Sequence, residues 1–590
     1  MRSCVCVLLF ICFVQSALLW TAAERLSPNP DEFAHLVAGI TYWKSGDAKL
    51  YNVNPPLVRL VASLPTVIEG VRTPTREIRQ RRSDRIEFSM AQNFVDENLE
   101  TAFGKLVSAR RAIIPFVVVG TVGIFLLGSL IISRIAGCFA AAIWALNPIT
   151  LGYGVFVGCD IAAGSIGAWA ILSLLIAFQS PKWTNYAIAG ICLGLAILTK
   201  STWIIGLALW PLWITAEWLR STYVQNCVPA VKGELNSSSP SFKCLATRLL
   251  IILAFAWLIL VAGYRGNGLF ESLGDYSFVS NVLRGDDQQI SGNRFRGTWL
   301  EAIPIPFPRS LIEGMDQQWE DFDKPRPAFF GGEWKRGGWI WYYCAAMFVK
   351  LPLGWIMLLI ASIATSIRNS KLIAVGIILP TIFLVLISTK TNMNEHTRYM
   401  WIVLPMLSVL ASAIANSKRY TVRIFVLLCS SWVVGSGLAT YPFGLSYSNE
   451  CFGGAENTSK MLAGSNVDWS QGWIEAKKWI ERMSNEHKLI AIVEPEWYPL
   501  NYVGIIANNE IPKSFRKLDK TIDKTIEETK IIVLISIEDR MRLQRTHIGD
   551  WRSKRKLLTL AYCIEVYEVN IDDRGDFSSR LQWYHASQND

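Results

Sequence analysis

Apolar positions in this chain of 590 residues gather into runs of about 17 to 25 residues, the length that crosses a bilayer core. Eleven runs stand out, near residues 4–22, 111–133, 135–153, 161–179, 184–199, 202–218, 246–263, 340–363, 372–388, 400–416 and 421–440. The pattern predicts a polytopic α-helical membrane protein with about 11 transmembrane helices. Two long polar stretches, 23–108 and 264–339, interrupt it. After residue 440 the pattern changes: β-rich runs at 488–493, 530–537 and 557–569 alternate with a helix-like stretch at 472–483, which predicts a small α/β domain outside the membrane. The expected organisation is a membrane domain over 1–440 and an external α/β domain over 441–590, with NSSSPS in the 225–242 loop as a flexible connector.

The first run ends in small residues, as a cleaved signal would, but a retained helix gives a consistent topology. With the N-terminus inside, the short basic loops share the cytoplasmic face: Arg134, Lys182, Arg368 with Lys371, and Lys418 with Arg419 and Arg423. The two long polar stretches and the C-terminal domain then lie outside. The Arg-rich RQRRSDR, 79–85, does not oppose this, because long loops translocate largely regardless of charge.

Composition agrees. A chain that is 51% hydrophobic, with 24 Trp and a mean hydropathy of +0.28, is no ordinary soluble protein. A solvated, headgroup-facing surface accounts for the net charge of +10, and nothing points to nucleic acid. The 12 Cys show no metal-ligand spacing, and most sit in apolar runs; Cys451 and Cys563 are the two external thiols that could pair.

Candidate chemistry begins just after the first run, in SPNPDEFAHLVAGITYWKSGD. Asn29 can cap a helix starting at Pro30, with Glu32 as its capping-box acid. Phe33, Leu36, Val37 and Ile40 follow a helical apolar period, which predicts an amphipathic helix lying on the outer membrane surface. Asp31 and His35, four residues apart, share a face that the cap does not explain. A second such helix is expected from NPPLVRLVASLP. Further polar groups fall on the same rim: Asp160 at the mouth of a span, Lys200 ending GLAILTK, and Glu395, His396 and Arg398 in NEHTRY. Carboxylates, cations and a histidine thus converge from four distant segments, an arrangement suited to a lipid-linked, phosphate-bearing substrate.

These motifs in order, DEFAHLVAGITYWKSGD, NPPLVRL, NP with a downstream Asp160, and GLAILTK, resemble the bacterial branch of the GT-C glycosyltransferases. That branch is related to protein O-mannosyltransferases and lipid A aminoarabinose transferases. IPIPFP, FFGGEWKRGGWIWYYCAAMFVKLPL, YPFGLSYSNECFGG and SNVDWSQGWIEAKKWI extend the resemblance over almost the whole membrane domain. Tyr153 and Val155 depart from it, standing where relatives carry a histidine and an arginine, and NEHTRY replaces the commoner form of its loop.

The resemblance implies transfer of a sugar from a polyprenyl-phosphate carrier to an acceptor hydroxyl on a protein, lipid or glycan, with inversion at the anomeric carbon. The implied place is a multi-pass inner or plasma membrane with an extracytoplasmic site. Asp31 is the expected base, through a raised pKa, with Glu32 or Asp160 orienting the acceptor. Arg398, Lys200 and His396 are expected at the leaving phosphate. His35, Glu333 and Trp334 are candidate substrate contacts, His35 by bracing Asp31. No metal or other cofactor is expected to be essential, though a divalent ion is compatible. A ligase using a lipid diphosphate is the alternative with similar needs; a flippase would place its charges near mid-membrane instead.

Overall fold

The computed structural model describes residues 2–72, 85–227, 242–285, 291–366, 369–389, 391–484, 490–496, 499–505, 507–508, 530–545, 554–570 and 581–584. RQRRSDR except Arg85, the NSSSPS connector and Arg368 lie outside the described residues.

All eleven apolar runs are helical, yet among the described residues only eight helices are long and apolar enough to cross a membrane, or nine with one bent pair. The bent pair is the 340–363 run, whose halves Tyr342–Lys350 and Leu353–Ile363 meet at 115°. Pro352 causes the break: it lacks an N–H and forces the residue before it, Leu351, into extended backbone (φ −77°, ψ 133°). The 135–153 run splits too. Helix Arg134–Ala145 ends, and Asn147 starts a second helix, Pro148–Tyr153, by accepting the N–H groups of Ile149 and Thr150. Trp183–Thr199 is the other shorter apolar helix. A proline and a capping asparagine thus cut two runs that hydropathy joins, and the third, Trp183–Thr199, is uncut but short, so by length and composition eight or nine of the eleven expected spans are full length among the described residues.

The Ala102–Ile131 helix packs against Arg2–Arg25, Leu57–Glu69, Arg134–Ala145 and Asp160–Gln179. Small residues set these distances: a Cβ on Gly128 would lie 3.1 Å from Gly137 Cα.

The Pro30–Ser45 helix has the predicted capping box in full, with Asn29 Oδ1 accepting from Asp31 and Glu32 and the Glu32 carboxylate accepting from Asn29. It does not lie exposed on a surface as its periodicity suggested. Helices Leu57–Glu69 and Ile86–Glu97 pack against it, burying Ala34, Ala38 and Gly39 as well as the apolar stripe. Ala34, Ala38 and Gly39 have so little side chain that the neighbours come close; a Cβ on Gly39 would stand 2.4 Å from Arg59 O.

The C-terminal region carries a six-stranded mixed sheet in the order Ala507–Asn508, Leu581–Tyr584, Ile490–Val493, Lys530–Ser536, Ile564–Asn570, Arg555–Leu560. Ile490–Val493 and Lys530–Ser536 run parallel and the other pairs antiparallel. The long 557–569 run is two strands of a hairpin, turning at Ala561 and Tyr562 with φ of 51° and 58°. Cys451 is exposed and Cys563 buried, both as free thiols, so the suggested pairing is not present.

Residues after 440 cross back over the membrane-spanning part before the sheet begins. Lys350 Nζ donates to Leu445 O at 2.8 Å, to Tyr447 O at 2.7 Å and to Asn466 O. These bonds tie one helix end to two separate stretches of the later chain.

Candidate active site

Two ion pairs form at the end of the helix bundle where the polar clusters were expected to meet. Arg398 Nη1 donates to Asp31 Oδ2 at 2.8 Å across 367 positions of sequence. Lys200 Nζ donates to Asp160 Oδ1 at 2.5 Å. Tyr399 connects them, with Lys200 Nζ 4.9 Å and Arg398 Cζ 5.7 Å from its ring centre. Trp469 also covers Arg398, its ring centre 4.2 Å from Cζ. The Asp31 and Arg398 side chains keep 17% and 14% of their surface exposed, so this pair is mostly buried yet reaches solvent, while Lys200 is buried at 4%. Arg398 Nε is buried with no hydrogen-bond partner among the described residues. A buried guanidinium N–H left unpaired is a donor with capacity for a further acceptor.

Glu32 stands apart from this mouth. Its side chain is fully buried and meets Arg110 in a fork: Arg110 Nε donates to Oε1 at 2.8 Å and Nη2 to Oε2 at 2.5 Å. Glu32 Oε1 also accepts Val157 N–H, and Arg110 donates to the carbonyls of Ala23, Leu26 and Ser27. The geometry makes Glu32 the anchor that fixes the start of the Asp31 helix against the bundle. The neighbouring carboxylate, Asp31, is thereby aimed at the mouth.

A loop from the later chain brackets the segment bearing His396 and Arg398. Asn466 Oδ1 accepts Thr397 N–H at 2.7 Å, and Asn466 Nδ2 donates to Glu395 O at 3.0 Å. Ser465 Oγ lies 2.8 Å from His396 Nδ1, and Ser465 O accepts from Tyr153 Oη at 3.0 Å. Tyr153, one of the departures from the family pattern, is thus part of the bracket. His35 is buried against Tyr51, with ring centres 4.3 Å apart. Tyr51 adopts left-handed backbone (φ 61°) that a bulky residue rarely takes. Glu333 and Trp334 sit on a hairpin, Pro327–Phe330 with Glu333–Arg336. Glu333 is exposed, and Trp334 packs on Phe329 beneath Arg545. No hydrogen bond or ring contact among the described residues joins either to Asp31 or Arg398.

The protonation states differ from the simple expectation. Burial pushes the Asp31 carboxyl up, but the Arg398 charge and hydrogen bond hold it below its ordinary value. Asp31 is therefore an ionised acceptor paired with a cation, and the raised pKa expected of it is not present in this arrangement. Burial takes His35 down to about 3. Burial, then the Arg398 charge, hold His396 well below the usual range. His396 thus brings a neutral ring to the site, able to hydrogen-bond a phosphate but not to add charge.

Asp468, in the bracketing loop, is pushed up to about 7 by burial, against the N–H groups of Ser470 and Glu538 that bond it. Between pH 4 and 7 the folded protein holds a proton there that the unfolded chain releases, so this group's contribution to stability is complete below pH 4 and lost as pH rises through about 7. Asp468→Asn is expected to flatten that slope, which amounts to at most about 4 kcal/mol. The check is thermal unfolding of both proteins between pH 5 and 8, with the wild type losing ground as pH rises.

Sequence reading missed Arg110, Tyr399, Ser465, Asn466 and Trp469. Arg110 left one signal, a charge at the head of an apolar run, which needs a buried partner. Among the described residues no group of three or more His, Cys, Asp or Glu side chains converges as a metal site would require.

Residues 103–230 match the family described as dolichyl-phosphate-mannose-protein mannosyltransferase. No curated protein sequence matches the chain. Among solved structures, it is similar to ArnT from Cupriavidus metallidurans bound to undecaprenyl phosphate, at 12% identity and a TM-score of 0.43 over 95% of this chain and 97% of that one. It is also similar to the oligosaccharyltransferase AglB from Archaeoglobus fulgidus, in complex with an inhibitory peptide and a dolichol-phosphate, at 12% identity and a TM-score of 0.44 over 91% of this chain and 70% of that one.

Proposed function

We propose, from the premise that residues 103–230 match a family of lipid-phosphate-dependent mannosyltransferases, that this chain moves a sugar from a polyprenyl-phosphate carrier to an acceptor hydroxyl. The carrying observation is the Asp31–Arg398 pair at a solvent-facing mouth, with the Lys200–Asp160 pair beside it. An acceptor O–H attacks the anomeric carbon as the bond to the carrier phosphate breaks. The hydroxyl proton passes to the Asp31 carboxylate, and the bond electrons leave with the phosphate. Attack opposite the leaving group inverts the anomeric centre.

The leaving phosphate develops charge that fixed cations stabilise without reorganising. Arg398 offers its unpaired Nε edge, and Lys200 sits one ring away across Tyr399. As phosphate draws Arg398 away from Asp31, the carboxylate loses the partner that depresses its pKa and becomes a stronger base. Donor binding in this way prepares the base. Asp160 holds Lys200 in place, and Asp31 alone meets the acceptor.

The helix ends support an extracytoplasmic site. Asp160, Lys200 and Arg398 stand at one end of the helices Asp160–Gln179, Trp183–Thr199 and the Thr397–Asn416 span, while Lys182, Lys418 and Arg419 stand just past the other. Basic short loops tend to mark the cytoplasmic end, which supports a reading with the mouth and the α/β domain outside.

The test is purified protein in detergent with a panel of polyprenyl-monophosphate and polyprenyl-diphosphate sugars. Release of free polyprenyl phosphate from a monophosphate donor is expected. Turnover of diphosphate donors alone would replace this reading with the ligase reaction.

A further inference from the structure

The external α/β domain touches the donor-site loop directly, through the helix Ile537–Arg545 that follows the strand Lys530–Ser536. Its first turn is docked on the bracketing loop: Glu538 N–H donates to Asp468 Oδ2 at 3.2 Å, and Glu538 Oε2 accepts Gly464 N–H at 2.6 Å. One helical turn later, Arg542 Nε donates to Glu538 Oε1 at 2.6 Å, and Arg542 Nη2 reaches Glu395 Oε1 at 3.4 Å. Glu395 directly precedes His396, and its backbone carbonyl is held by Asn466 Nδ2. Arg542 therefore joins both sides of the bracket, gripping the 464–468 loop through Glu538 and the His396–Arg398 segment through Glu395.

We propose that Arg542 is a positioning residue, and that the α/β domain completes the donor site by clamping the loop that carries His396 and Arg398. Arg542 approaches neither Asp31 nor Lys200 and touches no reacting atom in this scheme. Its work is to fix Glu395, and through it the register of the next three residues. Arg398 must present its guanidinium to phosphate while it lies 4.2 Å from the Trp469 ring centre and 5.7 Å from that of Tyr399, so an error of about 1 Å in this loop would be costly. Two features make the clamp specific to one position. The Arg542 guanidinium also pairs with Glu496 at 3.4 Å, so three carboxylates from separate segments fix its plane. Residues 464–466 are meanwhile held from the membrane side by Lys350 and Tyr153. The donor loop is thus gripped between the bundle and the external domain.

This inference rests on the proposed function for what the loop does, but the clamp itself is measurable without turnover. Hydrogen exchange of ligand-free protein is compared between wild type and Arg542→Ala, with Glu395→Gln as the matching change on the other side. Exchange over residues 394–399 is expected to quicken about tenfold in both variants, while the strand Lys530–Ser536 stays as protected as in wild type. Turnover with a polyprenyl-phosphate sugar is expected to fall about tenfold in kcat at unchanged acceptor KM, with partial rescue by Arg542→Lys. Unchanged exchange over 394–399 would overturn the clamp, as would equal quickening over 530–536, which would mean that the domain had simply loosened. If exchange responds as expected but the wild type releases no polyprenyl phosphate, the clamp stands and the assigned reaction fails.

Discussion

Asp31→Asn is expected to lower turnover by about 10²- to 10⁴-fold, the usual contribution of a positioned general base. The substitution keeps the shape of the side chain and can still accept from Arg398 Nη1, so the fold has no reason to respond. It removes the carboxylate that the proposal makes the base, one more exposed than Asp160, which is bound to Lys200, and than Glu32, which is buried against Arg110. It also removes the anion that competes with the donor phosphate for Arg398. The expected pattern is therefore a split, with chemistry lost and affinity for the lipid phosphate held or improved. Steady-state release of polyprenyl phosphate by the two proteins at saturating donor measures the first half.

The adjacent residue should behave in the opposite manner. Glu32→Ala leaves the Arg110 guanidinium fully buried with three carbonyls and no counter-charge. Removing one member of a buried pair typically costs about 3–5 kcal/mol, because the survivor remains desolvated and unpaired. Two backbone N–H groups, of Asn29 and Val157, lose their acceptor in the same step. The expected result is a sharp fall in the yield and melting temperature of detergent-solubilised protein, followed by size-exclusion chromatography across a temperature series. Asp31→Asn should melt with the wild type. Neighbouring carboxylates one residue apart would then separate cleanly into one of chemistry and one of structure.

That separation was only half visible in the sequence. The local signals were sound: Asn29, Pro30 and Glu32 spell a helix start, and the capping box forms as written. The gathering of Asp31, Asp160, Lys200 and Arg398 was also legible, because charges at the ends of apolar runs must meet one another or water. Hydropathy could not supply Arg110, which finds Glu32 across 78 positions. Nor could it supply Ser465 and Asn466, whose role is to bond backbone and imidazole and leaves no periodic trace. Trp469 lies over Arg398 because the chain returns to the bundle after residue 440, which no local pattern announces. The raised pKa expected of Asp31 fails for the same reason. Burial alone would raise it, and the partner that lowers it sits far away in sequence.

The central claim is that the Asp31–Arg398 pair is where base and lipid phosphate meet. Its most direct test is the equilibrium affinity of purified wild type, Asp31→Asn and Arg398→Gln for polyprenyl phosphate, titrated at one ionic strength. The account predicts that Asp31→Asn binds as tightly as wild type or tighter, while Arg398→Gln weakens by about tenfold or more, as loss of a charged hydrogen bond to phosphate requires. Equal weakening in both variants, or no change in either, would contradict it.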